Sequence, residues 1–259
     1  LVLFIMTLTP VNSQSLSKTQ KAVIDSLMAQ YAGDTLPSAS LAILRGEKVL
    51  YKKSYGMADL EAGRKASSKS NYRLASVSKQ FTAAAVLQLI EKKKFTLKTT
   101  LTDIYKDFPP YGSAITIHHM LNHTSGLADY EALIPDSVTV QVKDADVLAM
   151  MKGIDSVYFK PGEKYQYSNT GYALLAMIVE KFSGMKYPAY LKKYIFNPAG
   201  MKNSLAFVDG ENTVPFRSFG YSIRMDTVRR TDQSITSAVL GDGGIYSSVD
   251  DLMQWNKAI

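Results

Sequence analysis

Ser76-Val77-Ser78-Lys79, running into Phe81-Thr82-Ala83-Ala84-Ala85-Val86-Leu87-Gln88-Leu89-Ile90, decides what this chain can be. The apolar run reads as a helix. A serine and a lysine three residues apart lie one above the other on a helix face, with Cβ atoms roughly 5–6 Å apart. The lysine amine then reaches the serine hydroxyl without any histidine. The first helical turn carries unpaired N–H groups and a positive dipole end, which oppose an ammonium ion there, and burial opposes it further. Lys79 is therefore expected to be pushed towards the neutral amine that a general base must be. The same N–H groups favour an oxyanion forming beside Ser76. Alone, S-x-x-K is a short pattern that a serine-capped helix with a surface lysine also satisfies. Its weight comes from the company it keeps.

The 259 residues suffice for one large domain or two interleaved ones, with apolar content enough for a sizeable core. Lys and Arg outnumber Asp and Glu by 30 to 23, but the excess is scattered. Its densest cluster, Lys92-Lys93-Lys94, follows the Ser76 helix and reads as a solvated helix end. No basic stripe interleaved with aromatics occurs, which argues against nucleic acid as a partner. Leu1 to Leu8 is an uncharged apolar run followed by Val11-Asn12-Ser13-Gln14. Residues 1–13 read as the back half of a secretory signal peptide, cleaved after Ser13, rather than as a buried strand. The run is too short for a membrane span, which takes about 20 apolar residues. With no initiator Met and no basic segment ahead of it, the sequence is expected to be truncated at this end. Export to a periplasm or out of the cell is expected, and the absence of cysteine is compatible with it.

Along the chain, Val23, Ile24, Leu27, Met28 and Tyr31 mark a helical face between Leu16 and Tyr31. Runs from Ser38 to Leu44 and Val49 to Tyr55 flank Arg45-Gly46-Glu47-Lys48 and read as an antiparallel hairpin. Glu61 to Asn71 reads as a polar loop. Helices are expected near Ala145 to Met151, over Gly171 to Phe182 (nearly all apolar, hence buried), over Tyr187 to Phe196 up to Asn197-Pro198, and over Val249 to Trp255. Residues 202–235 read as irregular, a possible cleft wall. Two strands make a marginal sheet. The rest of the sheet is expected beyond Ile259, with the chain also cut at that end.

Tyr167-Ser168-Asn169 follows the turn at Pro161-Gly162. In an extended segment, residues two apart face the same way, so a phenol and a carboxamide would address one site. The phenol could relay a proton to a leaving group, and the amide could hold a substrate carbonyl or orient Lys79. The plainer reading is a helix entry capped by Asn169.

S-x-x-K followed about 90 residues later by Y-x-N resembles the penicillin-recognising serine hydrolases: class C β-lactamases, D-alanyl-D-alanine carboxypeptidases, and related esterases and D-aminopeptidases. Ile115 to Leu127, Pro161 to Tyr172, Pro198 to Met201, Phe219 to Tyr221 and Gly243 to Leu252 agree with that superfamily in order. The resemblance extends over roughly residues 20 to 259. It implies that Ser76 is the acylated nucleophile, Lys79 its proton partner, Tyr167 the general base or acid, and Asn169 a contact to the substrate amide. It leaves open whether Lys79 or Tyr167 takes the serine proton. The superfamily's third motif, K-T-G or H-x-G on a strand, is not found after Tyr167. Lys98-Thr99-Thr100 lacks the glycine and comes too early, and His123-Thr124-Ser125-Gly126 has the wrong spacing. Truncation is the expected reason, and the piece alone is expected to be impaired.

Other candidates are weaker. His119 and His123 are four apart but lack an intervening carboxylate in an H-E-x-x-H pattern or a third ligand, so no metal is expected and His123 reads as structural. No G-x-S-x-G elbow supports a Ser-His-Asp triad. Ser125 and Ser168 read as loop hydroxyls. Tyr111 and Tyr130 flank the His123 segment and are candidates for lining the substrate cleft, the alternative being ordinary half-buried tyrosines. The expected architecture is α/β, β-lactamase/transpeptidase-like: an antiparallel sheet flanked by helices, with an inserted helical domain. Residues 14–259 would form it, with a sheet subdomain (14–75 plus 236–259) and a helical subdomain (76–235). The expected activity is a cofactor-free serine hydrolase acting through an acyl-enzyme on a small-molecule or peptide substrate: an amide, β-lactam or ester. The alternative is a penicillin-sensing or peptidoglycan-peptide-binding homologue without turnover.

Overall fold

The computed structural model describes residues 15–259 apart from Asp226, so the proposed signal peptide lies outside the described residues. Two compact units divide the chain after Ser68.

In the first unit, α1 (Lys18–Leu27) starts at a reciprocal cap: the Ser17 hydroxyl accepts the Gln20 N–H at 3.1 Å, and the Gln20 side chain accepts the Ser17 N–H at 2.9 Å. The helix is shorter than the sequence pattern, which runs on into a separate 3-10 turn at Ala29–Tyr31. The expected hairpin is present as β1 (Ala39–Arg45) and β2 (Lys48–Tyr55), paired antiparallel with a register shift between Ile43 and Leu44. Asp25 ties α1 to β2, accepting from Tyr51 at 2.6 Å, Lys53 at 2.7 Å and Tyr55 at 2.8 Å. Lys53 foremost, with the two phenols, holds the Asp25 carboxyl down at about 2. The polar stretch after Glu61 is not all loop, because β3 (Met57–Asp59) pairs with β4 (Arg64–Lys65).

The second unit opens with β5 (Tyr72–Arg73), which delivers the chain to a 3-10 turn at Ala75–Ser78 and then to α2 (Lys79–Glu91). Short helices α3 (Leu101–Ile104) and α4 (Ile117–Leu121) follow, then α5 (Asp144–Lys152) and the central α6 (Asn169–Ser183). Thr170 to Ala176, Ile178 and Val179 of α6 are all buried, as a helix apolar all round requires. Its core partners include Phe81, Val86 and Leu89 of α2 and Val147 and Met151 of α5. The expected Tyr187–Phe196 helix is α7 (Tyr187–Leu191) continuing as one π-type turn, Lys192–Phe196.

Residues 202–235 are more regular than their composition implied. They carry β6 (Leu205–Ala206) and a hairpin of β7 (Tyr221–Arg224) with β8 (Thr227–Arg230). Arginines and serines are poor strand signals, and the cross-strand pairing that holds them cannot be read from one strand's sequence. After α8 (Leu240–Gly243) comes β9 (Ile245–Ser247), the middle of a three-stranded antiparallel sheet ordered β5-β9-β6, and then α9 (Val249–Ala258). The result is an α/β fold with small antiparallel sheets. No described helix is long and apolar enough to cross a membrane.

The contact between α8 and α6 permits no side chain at Gly241. A Cβ there would stand 2.3 Å from the Tyr172 carbonyl oxygen and 2.7 Å from the Ala176 Cβ. The backbone must move to relieve this, and overpacking of that kind costs about 1–3 kcal/mol. Gly241→Ala is therefore expected to lower the melting temperature by several degrees, measured by circular dichroism or calorimetry. An unchanged melting point would contradict the close packing of α8 on α6.

Candidate active site

Ser76 lies in the 3-10 turn that precedes α2 rather than in α2 itself. Ala75 before it has φ of 46°, a left-handed conformation that costs a non-glycine residue about 1–2 kcal/mol. The turn is fixed from behind, where the Ser78 hydroxyl accepts the Ile245 N–H of β9 at 3.2 Å. Lys79, the first residue of α2, is 6% exposed, and its Nζ donates to three acceptors. These are Ser76 Oγ at 3.2 Å, Asn169 Oδ1 at 2.8 Å and the Asp242 carbonyl oxygen at 2.8 Å. The Tyr167 hydroxyl donates to Ser76 Oγ at 2.6 Å, and Lys79 Nζ lies 4.9 Å from the centre of its ring. Ser76 Oγ therefore has two candidate proton acceptors within reach, an amine and a phenol oxygen.

The structure brings Tyr167 and Asn169 to one site, but the helix cap is not Asn169. Ser168 caps α6, accepting the Gly171 N–H at 3.2 Å. This leaves the Asn169 carboxamide free to accept from Lys79 and to donate from Nδ2 to Glu131 Oε1 at 3.0 Å. His123 supports Tyr167 from behind. Its ring stacks on the phenol with centroids 4.5 Å apart, and its Nδ1 accepts the Ser168 N–H at 3.1 Å. Burial, then the charge of Lys79, lower the His123 pKa below its ordinary value. Nδ1 of His119 accepts the Thr116 N–H at 3.4 Å. Among the described residues no group of three or more acidic, histidine or cysteine side chains is placed to hold a metal.

The two tyrosine candidates separate. Tyr130 is fully buried and borders a cavity beside Ser76, with its hydroxyl donating to Asp242 Oδ2 at 3.0 Å. Tyr111 does not border that cavity. Its hydroxyl donates to the Met151 carbonyl at 2.5 Å and its ring packs on Phe108.

The β-lactamase family model matches residues 22–257. The chain belongs to the β-lactamase family. It is 34% identical over 228 residues to penicillin-binding protein 4* of Bacillus subtilis, covering 83% of this chain and 50% of that protein. With the D-aminopeptidase of Brucella canis it shares 29% identity over 251 residues, 93% of this chain and 45% of the relative. The crystal structure of D-amino acid amidase from Ochrobactrum anthropi, complexed with L-phenylalanine amide, superposes with a TM-score of 0.74 at 26% identity, covering 90% of this chain and 66% of that one. The chain thus spans about half the length of the two sequence relatives.

This β-lactamase family member carries around Ser76 several residues that sequence reading did not single out. Arg73, Glu131, Thr236 and Asp242 line the cavity of about 130 Å³ together with Ser76, Tyr130 and Asn169. Only Glu131 offered a local signal, by following Tyr130. The other three reach the site through β5, α8 and an irregular segment. Asp242 is a buried acid. Burial raises its carboxyl to about 6, against the lowering effects of Lys79, the Tyr130 hydroxyl and Arg73. The folded state thus keeps a proton there that the unfolded chain, with its carboxyl near 3.8, releases. Stability from this group is lost as pH rises from about 4 to about 6. Asp242→Asn keeps an oxygen for Tyr130 without the charge. Its unfolding free energy relative to wild type should rise over that window by up to about 3 kcal/mol, measured by urea denaturation at each pH. A difference that stays flat with pH would show that Asp242 ionises as freely folded as unfolded.

Proposed function

We propose that the chain carries the reaction centre of a serine hydrolase that acts through a covalent acyl-enzyme on amide, β-lactam or ester carbonyls. The observation that carries this reading is Ser76 Oγ held at 2.6 Å by the Tyr167 hydroxyl and at 3.2 Å by Lys79 Nζ. In this reading Ser76 Oγ attacks the carbonyl carbon as its proton passes to Lys79 or Tyr167. The Ser76 backbone N–H, which precedes the turn's first hydrogen bond (Val77 N–H to the Leu74 carbonyl, 3.1 Å), helps to stabilise the oxyanion. The bond to the leaving nitrogen or oxygen then breaks as that atom takes up the proton. Water attacks the Ser76 ester, releases the acid and restores the hydroxyl.

Asn169 has a clear part in this reading. By accepting from Lys79 and donating to Glu131 it fixes the lysine without being a proton carrier itself. The relatives' names, penicillin-binding protein and D-aminopeptidase, support carbonyl substrates of the amide and lactam kind. Export to the cell envelope also belongs to the proposal, supported by the apolar run Leu1 to Leu8.

Intact-protein mass spectrometry after brief exposure to a penicillin and to an activated ester tests the reading on the full natural gene product. Wild type should gain one acyl adduct and Ser76→Ala none. Tyr167→Phe should slow adduct formation by about 10²–10⁴ if the phenol moves the proton. An adduct that persists for hours would mark a sensor rather than a hydrolase. An adduct that survives in Ser76→Ala, or none in folded wild type, would overturn Ser76 as the nucleophile.

A further inference from the structure

His123 has no part in acyl transfer as derived above, yet it holds three successive residues of the segment that carries Tyr167. Its carbonyl oxygen accepts the Gln166 N–H at 2.9 Å. Its ring stacks on the Tyr167 phenol, with 4.5 Å between centroids and 28° between planes. Its Nδ1 accepts the Ser168 N–H at 3.1 Å. Each of the last two contacts leads on to the nucleophile. Tyr167 donates to Ser76 Oγ at 2.6 Å, and Ser168 caps α6 beside Asn169, the acceptor for Lys79. The backbone is bent to make this clamp. His123 has φ of 60°, a left-handed conformation that glycine enters freely and other residues avoid. Such strain persists where the surroundings hold it in place, and it gathers at functional sites.

The clamp works in one protonation state. The Ser168 bond uses the Nδ1 lone pair, so the neutral ring carries its proton on Nε2. An imidazolium has no lone pair left, and the Ser168 N–H would then face another N–H and lose its partner. The groups around the ring oppose that state too. Lys79 Nζ lies 4.9 Å from the centre of the Tyr167 ring and 5.6 Å from that of Tyr172, whose centroid is 5.2 Å from His123. Tyr165 adds an edge contact at 5.8 Å. Among the described residues no carboxylate acts on the imidazole. Burial first, and Lys79 second, keep the ring neutral to below its ordinary 6.5.

We propose that His123 is the positioning residue of the Tyr167–Asn169 segment and gates the site by pH: its neutral imidazole keeps Tyr167 and Asn169 in place, and its protonation releases them, so that acylation of Ser76 switches off in acid. The proposal rests on the serine hydrolase reading above and adds regulation to it. His123 does not border the cavity beside Ser76 and carries no proton of the reaction.

The test follows the rate of Ser76 acylation by p-nitrophenyl acetate from about pH 4.5 to 8, read as intact-protein mass on the full natural gene product. This ester has no titratable group, so any pH dependence belongs to the protein. Wild type should lose acylation in acid with a one-proton midpoint below 6.5. His123→Asn offers Ser168 an acceptor that does not titrate, on a residue that tolerates the left-handed backbone. Its rate should be lower than wild type at high pH but free of that midpoint. His123→Ala removes both acceptor and ring and should slow acylation by about 10²-fold, the effect of displacing a reacting group by about 1 Å. The Asn variant should recover about tenfold of that loss. The ester concentration for half-maximal acylation should hold steady in both variants. Asp242, with its carboxyl raised to about 6, is the other acid of this range. A midpoint that persists unchanged in His123→Asn overturns the proposal, and so does an Asn variant as slow as the Ala variant.

If folded wild type takes no acyl group, the hydrolase reading fails while the clamp stays open to test. Proton NMR then follows the Tyr167 ring signals, identified by comparison with Tyr167→Phe, over the same pH range. A shift of those signals at the His123 midpoint, absent in His123→Asn, supports the gate without chemistry. Signals that ignore the titration of His123 overturn it.

Discussion

The buried side chain of Lys79 is the point on which this site depends. Its three acceptors come from residues 3, 90 and 163 positions away along the chain. A lysine this deeply enclosed is unfavourable unless its donors are all met, because an unpaired buried polar group forfeits hydration with nothing in return. Each acceptor must therefore be delivered with precision, and much of the second unit reads as the apparatus that delivers them. The 3-10 turn supplies Ser76, the capped start of α6 supplies Asn169, and α8 supplies the Asp242 carbonyl.

The placement of α8 shows how far that apparatus reaches. Asp144, at the start of α5, accepts the N–H groups of Leu240 at 2.8 Å and Gly241 at 2.9 Å. Burial raises the Asp144 carboxyl above the usual range, and those two donors work against the rise. Thr82 of α2 donates to the Gly241 carbonyl at 2.7 Å. Asp144, Thr82 and α6 thus fix one short helix whose next carbonyl faces Lys79, and Gly241 is small because α6 leaves no space there.

Much of this was legible in the sequence where the signal is local. Ser76 and Lys79 are one helical turn apart, and Tyr167 and Asn169 are two residues apart, so short-range geometry already paired them. The long apolar run Gly171 to Phe182 announced a buried helix, and Gly46 between two extended runs announced a hairpin. What failed to show depends on distant partners. Tyr111 and Tyr130 look alike in sequence, and only the carbonyl of Met151 and the carboxylate of Asp242 send them to different places. The cap of α6 shifted by one residue, from Asn169 to Ser168, because either side chain can cap and tertiary contacts chose which. Arg73 and Asp242 enter through a strand and a helix too short for periodicity to mark.

The site also divides by the kind of backbone that carries it. Ser76, Lys79, Asn169 and the Asp242 carbonyl sit on helical turns locked into the core, whereas Glu131 and Thr236 stand on a short turn and an irregular segment at the rim. Core helices resist substitution because each residue has many packed neighbours, while connecting segments tolerate it. A lineage could therefore exchange the rim residues one at a time and meet new substrates while its nucleophile stayed in register. In such a scaffold the reaction is inherited with the core, and the diet is rewritten at the edge.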